Sequence, residues 1–372
     1  MEISVVIVSY RVKYFLEQTI RAAQEALAGH ESEIFVVDNN CNSETLPFFK
    51  ARFPQVHYIV NESNVGFGRA NNQAIMQAQG KYTIILNPDT IITPDCISQP
   101  LKMMESHADC GAIGLHMIDG NGVFLPESKR AFPTPWVSFC KIFGLSKLFP
   151  LSPWFAKYHL RYINEFEPHQ VDILSGAYMF CRTSLLQDIK GFDEDFFMYG
   201  EDIDLSYRIM KKGFDNWYLP VNMIHYKGES TKKDSLHYVR VFYEAMLIFY
   251  RKHFPGFGRI VYPFIKLGVW VRQAMSIAKR VFKPLVTKNE NVLDKGQWVV
   301  LSNHAQEVAG LAGIAHFTEV IPVRGFNNVL IDDASYTYEE IVNTIAQSAR
   351  KELFFHIFSS RNQVIITPKM QE

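Results

Sequence analysis

Short apolar runs alternate with helical stretches through the first 115 residues of this chain, and that alternation limits the fold more than any other feature. The predicted strands are Ile3–Val8, Glu33–Val37, His57–Asn61 and Tyr82–Leu86, and the predicted helix is Val12–Ala28, closed by Gly29. Strands and helices at this spacing are typical of βαβ units and a mainly parallel sheet. Such sheets bind ligands beyond the carboxyl ends of their strands, so we expect the functional site there.

Polar side chains collect at that edge of the predicted sheet. Ser9 and Tyr10 follow the first strand, Asp38 follows the second, and Asn87 and Asp89 follow the fourth. A single carboxylate such as Asp89 suits a hard cation that keeps most of its coordination positions for substrate phosphates and water. The alternative interpretation of Asp89 is a turn residue that bonds to its own backbone.

A histidine stands at the end of another predicted strand, near Asn222–His225. Gly228 permits a tight loop behind it, so the imidazole can turn inward as a metal or phosphate ligand. The alternative is a structural histidine, which is the commoner role for one that has no partner in the sequence.

The strongest chemical signal is the segment from Gly191 to Asp204, in which six carboxylates lie within twelve residues beside four aromatic side chains. Glu201, Asp202 and Asp204 start a helix that is predicted to run to Lys212, where Gly213 ends it. The functional interpretation is a general base in a partly enclosed, sugar-sized pocket. The alternative is a capped surface helix with an ion pair between Asp204 and Arg208.

A glycine-containing loop between Asn61 and Asn72 follows the third predicted strand and carries Gly66 and Gly68. It lacks the third glycine of a dinucleotide fingerprint and does not follow the first strand, so it is a weak nicotinamide site. A loop that opens a helix against a nucleotide diphosphate fits it better. The HExxH, GxxxxGK[ST] and GxSxG motifs are absent, which removes zincins, P-loop enzymes and α/β hydrolases from the leading options.

Composition narrows the class of protein further. The 38 basic and 38 acidic residues cancel, so net charge gives no attraction to nucleic acid. The chain is 48% hydrophobic and 20% charged, which excludes wholesale disorder. Five scattered cysteines without a CxxC pair support neither a zinc ribbon nor a disulfide framework and favour a reducing compartment. We expect neither a secretory signal nor a membrane-spanning helix.

A length of 372 residues is too great for one ordinary core. We predict an α/β domain at residues 1–255, a basic amphipathic helical segment at 256–286 and a small α/β module of unknown role at 287–372. Residues 130–168 are rich in Pro, Trp and Phe without a clean period, and Val171–Cys181 again resembles a strand. The tail has apolar runs at Trp298–Leu301, Val329–Ile331 and Val364–Ile366, and a helix from Tyr338 that a Thr337/Glu340 capping box introduces.

The predicted basic segment lies in an acid-free run of 45 residues, Ala245–Asn289, that contains nine Lys or Arg. On a helical wheel of residues 259–283, six cations fall in one half and seven apolar residues, Trp270 among them, in the other. The separation is imperfect, because Val261, Ile265 and Val269 fall among the cations. This pattern predicts a helix that lies on an anionic membrane surface, with Trp136–Trp154 as a second contact. The alternative is a helix that packs its apolar face on the protein.

Taken together, the motifs resemble the family-two inverting glycosyltransferases of the GT-A fold, in the rhamnosyltransferase-like and galactofuranosyltransferase-like subgroup. The resemblance covers roughly residues 1–255. It is carried by Ser4-Val-Val-Ile-Val-Ser-Tyr10, Val36-Val-Asp38-Asn, Asn64-Val-Gly-Phe-Gly-Arg-Ala-Asn71-Asn, Leu86-Asn-Pro-Asp89, Gly191-Phe-Asp-Glu, Tyr199-Gly-Glu-Asp202-Ile-Asp204-Leu and His225-Tyr-Lys-Gly-Glu-Ser230.

The resemblance implies transfer of a sugar with inversion from a nucleotide-diphosphate donor to a saccharide or lipid-linked acceptor, with Mg²⁺ or Mn²⁺. Rhamnose is one candidate sugar, and surface polysaccharide assembly at the cytoplasmic face of the inner membrane is the expected setting. Asp202 is implied as the base, aided by Glu201 and Asp204, and Asp89 and His225 as metal ligands. The implied donor-binding residues are Ser9, Tyr10, Asp38, Asn64, Gly66, Gly68, Asn71 and Asn87.

The chain departs from the family pattern at two positions. Arg11 stands where the family usually has Asn, and Asn87-Pro-Asp89 replaces the commoner Asp-x-Asp, so His225 gains importance as a ligand. Two other functions stay open. A sugar-phosphate nucleotidyltransferase would want a glycine-rich loop after the first strand, which Ser9–Lys13 lacks. A non-catalytic sugar-nucleotide-binding or scaffold protein would not need the acidic residues. The oligomeric state is not legible in the sequence.

Overall fold

The computed structural model describes residues 1–40, 45–142, 144–226, 236–254, 256, 297–322, 324, 327–350 and 352–368. The predicted amphipathic helix at 259–283 and the residues that follow Tyr226 in the His225–Ser230 motif lie outside the described residues. The sequence predictions for those segments therefore stay predictions.

One large sheet forms the centre of the first part of the chain. Its strands within the described residues are β1 (Ile3–Ser9), β2 (Ser32–Asp38), β3 (His57–Val60), β4 (Tyr82–Leu86), β5 (Thr90–Ile91), β6 (Cys110–Ile118), β7 (His169–Gln170), β8 (Tyr178–Arg182) and β9 (Asp215–His225). They lie in the order β3-β2-β1-β4-β8-β6-β9-β5, with β7 beside β9. Strands β3, β2, β1 and β4 are parallel, and β8 is antiparallel to β4 and β6. The predicted α/β fold with a mainly parallel sheet is confirmed.

Helices cover both faces of this sheet, which is why β1 and β4 are apolar along nearly their whole length. The helices are α1 (Lys13–Ala26), α2 (Thr45–Arg52), α3 (Phe67–Ile75), α4 (Asp95–Ser106), α5 (Pro135–Ile142), α6 (Leu145–Leu148), α7 (Thr183–Asp188), α8 (Glu201–Lys211) and α9 (Leu236–His253). No helix in the described parts of the chain has both the length and the apolar composition to cross a membrane.

Two strand boundaries differ from the sequence prediction. The strand expected at Val171–Cys181 begins only at Tyr178, because the Tyr178 amide closes a turn onto the Ser175 carbonyl at 3.2 Å. The strand expected near Asn222 extends back to Asp215, where it pairs with the start of β6.

The tail folds into a second, smaller sheet, as the sequence predicted. Its elements are β10 (Gln297–Leu301), α10 (Ala305–Leu311), β11 (Phe317–Thr318), β12 (Asn327–Asp332), α11 (Tyr338–Ser348), β13 (Leu353–Ser359) and β14 (Val364–Ile366). The strand order is β11-β10-β12-β13-β14, with β14 antiparallel to its neighbour. The predicted capping box is present, since the Glu340 amide donates to Thr337 Oγ1 at 3.2 Å and the Thr337 amide donates to Glu340 Oε2 at 2.8 Å.

The small module shares a hydrophobic core with the first domain. Phe15 of α1 and Ile224 at the end of β9 belong to the same buried cluster as Ile341 and Ile345 of α11. Polar contacts add to it, because Asn362 Nδ2 donates to Glu17 Oε2 at 2.9 Å. The same carboxylate accepts from Arg52 and Arg21 and is only 2% exposed. The module is therefore packed onto α1 and the end of β9.

Gly122 marks a close approach between the two parts. Its φ is +79°, and an added Cβ would lie 2.5 Å from Cβ of Ala349. Gly29 has a φ of +87° with nothing within 4 Å of an added Cβ, so it provides a matched control.

We predict that Gly29→Ala costs about 1–2 kcal/mol of unfolding free energy, the usual cost of left-handed backbone for a residue with a Cβ. Gly122→Ala is expected to cost at least about 1 kcal/mol more, because the methyl group must also displace α11. Urea denaturation of both variants measures the difference. Equal losses would show that the module does not pack tightly at this point.

Candidate active site

A cavity of about 410 Å³ lies beyond the carboxyl ends of the central strands. Its walls come from the segments after β1, β2 and β4, from the start of α8 and from the end of β9. The sequence-predicted residues that line it are Tyr10, Asn64, Asn87, Asp89, Glu201, Asp202 and His225. A second cavity of about 390 Å³ at the same edge contains Ser9 and Asp38.

Asp89 and His225 meet because β5 pairs with the last residues of β9. Thr90 is opposite His225 in this antiparallel ladder, and the Tyr226 amide donates to the Asp89 carbonyl at 3.0 Å. Thr19 of α1 supports the turn, since its hydroxyl contacts the Pro88 carbonyl at 2.9 Å and accepts from the Thr90 amide at 3.1 Å.

The two side chains form a buried pair of candidate metal ligands. Asp89 Oδ1 lies 3.4 Å from His225 Nε2, and the residues are 4% and 7% exposed. Asn87 Nδ2 lies 3.3 Å from the same nitrogen, and His225 Nδ1 is buried without a hydrogen-bond partner. No group of three or more His, Cys, Asp or Glu that could hold a metal occurs among the described residues. The pair fits a hard cation only if phosphate and water oxygens complete its shell.

Asp202 faces the cavity and is held in place by Arg130. Arg130 Nη2 donates to Asp202 Oδ2 at 2.6 Å, and the two side chains are 10% and 16% exposed. The Ile203 amide donates to Asp202 Oδ1 at 2.8 Å, and the Gly176 amide donates to Oδ2 at 3.3 Å. These bonds fix the direction of the carboxylate toward the cavity.

Glu201 also lines the cavity but has a different electrostatic environment. It is 7% exposed, and its Oε2 is buried without a hydrogen-bond partner. Burial, followed by repulsion from the Asp202 carboxylate, raises the pKa of Glu201 well above its usual value. The buried Glu201 carboxyl group therefore favours its neutral form, which can donate a hydrogen bond, more than a solvent-exposed glutamate does.

The structure does not bring Asp204 into the cavity. Asp204 is fully buried, and its two oxygens accept from Arg208 Nε and contact His253 Nε2, each at 2.6 Å. The ion pair with Arg208 is the one weighed as the alternative from the sequence. Because His253 belongs to α9, the Asp204 carboxylate joins α9 to α8.

The second cavity holds the other residues that follow β1 and β2. Burial raises the pKa of the Asp38 carboxyl group, although the Asn40 amide donates to Oδ1 at 2.9 Å. Arg11 adopts a φ of +57° and donates from Nε to Asn40 Oδ1 at 2.9 Å. Its guanidinium also lies 5.2 Å from the Tyr10 ring centre, and Arg11 lines this cavity.

Gly66, Gly68 and Asn71 are not among the residues that line these two cavities. An added Cβ on Gly66, whose φ is +91°, would lie 2.8 Å from the Phe197 carbonyl oxygen, and one on Gly68 would lie 3.0 Å from Cβ of Phe192. Asn71 is fully buried and donates to the Phe67 carbonyl at 2.9 Å. The glycines allow α3 to pack closely on the segment that leads into α8.

Several residues that the sequence did not single out line the larger cavity. They are Asn39, Phe67, Glu127, Arg130, Lys141, Tyr158, His159 and Gly176. Asn39 belongs to the polar group after β2, and its amide donates to Asn64 Oδ1 at 3.0 Å. Arg130, Lys141, Tyr158 and His159 come from the segment without a clean period, so no spacing rule could place them.

Two rhamnosyltransferases are similar to this chain in sequence. The chain is 26% identical over 238 residues to the N-acetylglucosaminyl-diphospho-decaprenol L-rhamnosyltransferase of Mycobacterium tuberculosis, covering 61% of this chain and 76% of the relative. It is 28% identical over 233 residues to the rhamnosyltransferase WbbL of Escherichia coli, covering 60% of this chain and 82% of WbbL.

Solved structures give more distant likenesses. Residues 1–349 of Staphylococcus aureus TarS superpose with a TM-score of 0.44 at 18% identity, covering 67% of this chain and 64% of that one. The mannosyltransferase PcManGT of Pyrobaculum calidifontis gives 0.46 at 15% identity, covering 76% of each chain.

The model of "Glycosyltransferase like family 2" matches residues 2–240. The match spans every strand of the large sheet and all the residues around the larger cavity, and it confirms the resemblance found in the sequence. The chain belongs to glycosyltransferase-like family 2 and is a glycosyltransferase.

Proposed function

We propose that the chain transfers a sugar, with inversion, from a nucleotide-diphosphate donor to a saccharide carried on a lipid diphosphate. The observation that carries this proposal is that the candidate metal ligands Asp89 and His225 line the same cavity as the Asp202–Glu201 pair. The names of both relatives support rhamnose as the transferred sugar, and the name of the Mycobacterium tuberculosis relative supports an acceptor carried on a lipid diphosphate. A role in surface glycan assembly is proposed from the resemblance found in the sequence.

Asp89 and His225 are proposed to hold Mg²⁺ or Mn²⁺ together with oxygens of the donor diphosphate. When bound, the ion supplies positive charge that stabilises the departing nucleoside diphosphate. Asn87 beside His225 helps to fix the imidazole, since its amide lies 3.3 Å from Nε2. One carboxylate and one imidazole leave room for several phosphate and water ligands.

Asp202 is proposed as the general base. It removes the proton of the acceptor hydroxyl while that oxygen forms a bond to the anomeric carbon and the carbon–oxygen bond to the diphosphate breaks. Arg130 keeps the carboxylate in one orientation, which reduces the reorganisation needed at the moment of transfer. Glu201, protonated, donates a hydrogen bond to a substrate oxygen, while Asp204 positions α8 through Arg208 and His253.

Ser9 and Asp38 are proposed to hold the nucleoside part of the donor, and Tyr10 and Asn64 the part nearer the diphosphate. Gly66, Gly68 and Asn71 act indirectly, because they let α3 support the segment that leads into α8. The enzyme is further proposed to work as a peripheral protein on the cytoplasmic face of the membrane. The support for that location is the basic sequence at 259–283, which lies outside the described residues.

We predict that Asp202→Asn lowers turnover at least about 10²-fold, the usual scale of general-base catalysis, because the amide cannot take the proton. Donor binding is expected to change little. Transfer assays with a panel of nucleotide sugars measure turnover, and calorimetry measures donor binding. An Asn variant with near wild-type transfer would reject Asp202 as the base, and binding without any turnover in the wild type would favour a scaffold protein.

Chelation is predicted to abolish transfer, and Asp89→Ala to weaken nucleotide-diphosphate binding at least about tenfold in Mn²⁺, through loss of a charged ligand. His225→Ala is the more diagnostic change, because a structural histidine would cost stability without altering cation dependence. Calorimetry with and without the cation distinguishes the two roles. Equal donor affinity in both conditions would mean that Asp89 and His225 do not hold a metal.

The raised pKa of Glu201 predicts a pH effect on stability. A carboxyl group whose folded pKa lies above its unfolded value of 4.5 loses stabilising free energy as pH rises through that range. Glu201→Gln is expected to remove this loss. As pH rises from 5 to above the folded pKa of about 8, the melting temperature of the variant should therefore fall less than that of the wild type. Melting curves that run parallel for the two proteins would contradict a protonated Glu201.

A further inference from the structure

One long segment beside the larger cavity contains no acidic residue. Between Ser128 and Asn164 the chain carries six cations and neither Asp nor Glu. These cations are Lys129, Arg130, Lys141, Lys147, Lys157 and Arg161. The segment reaches the cavity through Arg130, through Lys141 of α5 and through the turn that contains Tyr158, so it adds two cations to one wall, which we call the basic wall.

A row of side chains leads from the proposed base to this basic wall. Arg130 Nη2 donates to Asp202 Oδ2 at 2.6 Å, and Lys141 Nζ lies 3.4 Å from the centre of the Tyr158 ring. All four side chains line the same cavity, together with the carboxylate of Glu127. A substrate that reaches Asp202 with one end can therefore extend along the row to Lys141.

The pKa values of Tyr158 and His159 reflect positive charge at this end of the cavity. Burial alone would raise the pKa of the Tyr158 phenol, but Lys141 and Arg130 bring it below its usual value. Burial, then Lys141 and Arg130, lower the pKa of His159 to about 3. His159 is therefore neutral, and its Nδ1 is buried without a hydrogen-bond partner.

The helix that carries Lys141, α5, also bears exposed apolar side chains, and more of them follow in α6 and the residues after it. We call this surface the apolar platform, formed by Trp136, Phe139, Leu148, Phe149, Leu151 and Trp154, which are 49%, 40%, 70%, 51%, 72% and 74% exposed. It is ordered, since the Trp136 and Phe139 rings stack at 5.7 Å and Trp136 Nε1 donates to the Trp154 carbonyl at 3.1 Å. Clustered exposure of large apolar side chains marks an interaction site.

We infer that the lipid-diphosphate part of the acceptor binds here, with its phosphates at Lys141 and the adjoining lipid chain on the apolar platform. The inference rests on the proposed function for the placement of the sugar hydroxyl at Asp202. The carboxylate and the cation line one cavity, and the apolar platform begins on the helix that carries the cation. This part of the protein therefore offers a partner for the hydroxyl, the phosphate and the hydrocarbon of such an acceptor. The absence of Asp and Glu from residues 128–164 complements the negative charge of the diphosphate.

Binding of farnesyl diphosphate tests the site without requiring transfer, with EDTA present to keep cations from the Asp89–His225 pair. Wild-type protein is expected to bind it at least tenfold more tightly than either farnesol or inorganic diphosphate. Lys141→Met should weaken this binding about tenfold or more, and Lys141→Arg should restore most of it. A Leu148→Ser/Leu151→Ser variant should also bind more weakly. Lys157→Met removes an exposed cation of the same segment and is the matched control.

Three outcomes would overturn the inference. Equal affinity for farnesyl diphosphate and farnesol would show that no phosphate is recognised. Equal effects of Lys141→Met and Lys157→Met would reduce the site to general basic charge. Binding to plain anionic vesicles that disappears in Lys141→Met, without preference for the probe, would assign the surface to bulk membrane. A transfer assay separates this test from the proposed function. If the wild-type protein does not bind farnesyl diphosphate but still transfers a sugar to an acceptor without phosphate, only the inference is rejected and the proposed function stands.

Discussion

Two residue pairs, Thr90 with His225 and Ile91 with Ile224, form the short antiparallel ladder on which the site depends. Asp89 and His225 are 136 positions apart in the sequence, and this ladder sets their side chains 3.4 Å apart. Thr19 fixes the same turn from the opposite side, because its buried hydroxyl satisfies backbone groups of Pro88 and Thr90. Buried backbone groups in a turn need such partners. Asp89 and His225 are therefore held in place by packing as well as by the sheet.

Three carboxylates at the start of α8 have three different electrostatic environments. Asp204 is sealed between two basic groups, Asp202 is held by one cation at the edge of the cavity, and Glu201 lacks a partner for one buried oxygen. Neutralising one member lowers the repulsion among charges that lie within one helical turn. We propose that this arrangement provides an ion-paired carboxylate at Asp204, the general base at Asp202 and a hydrogen-bond donor at Glu201, all from one acidic sequence motif.

Much of the fold followed from hydrophobic periodicity, because the central strands are buried on both faces and read as continuous apolar runs. Asp89 and His225 could be predicted since each stands at the end of such a run. Asp202 and Asp204 could not be separated by type alone. The side chains of residues two positions apart on a helix point in directions that differ by about 200°, so only one of Asp202 and Asp204 can face the cavity.

The rest of the site depends on tertiary packing that no local pattern encodes. Arg130 and Lys141 reach the cavity because irregular chain folds over it, and their spacing in the sequence carries no period. Gly66, directly before α3, and Gly68, within it, were attributed to the donor pocket, whereas they permit close contact with Phe197 and Phe192. Both uses require a small residue, and the sequence does not distinguish between them.

The shared core between the small module and the first domain has a consequence for how this enzyme can be shortened or recombined. Phe15 and Ile224, which belong to the elements that carry Thr19 and His225, obtain part of their burial from α11. A chain cut after residue 255 would present that apolar face to water and would leave the Glu17 carboxylate without one of its hydrogen-bond donors. The stable folding unit therefore includes the small module, even though the family match ends at residue 240.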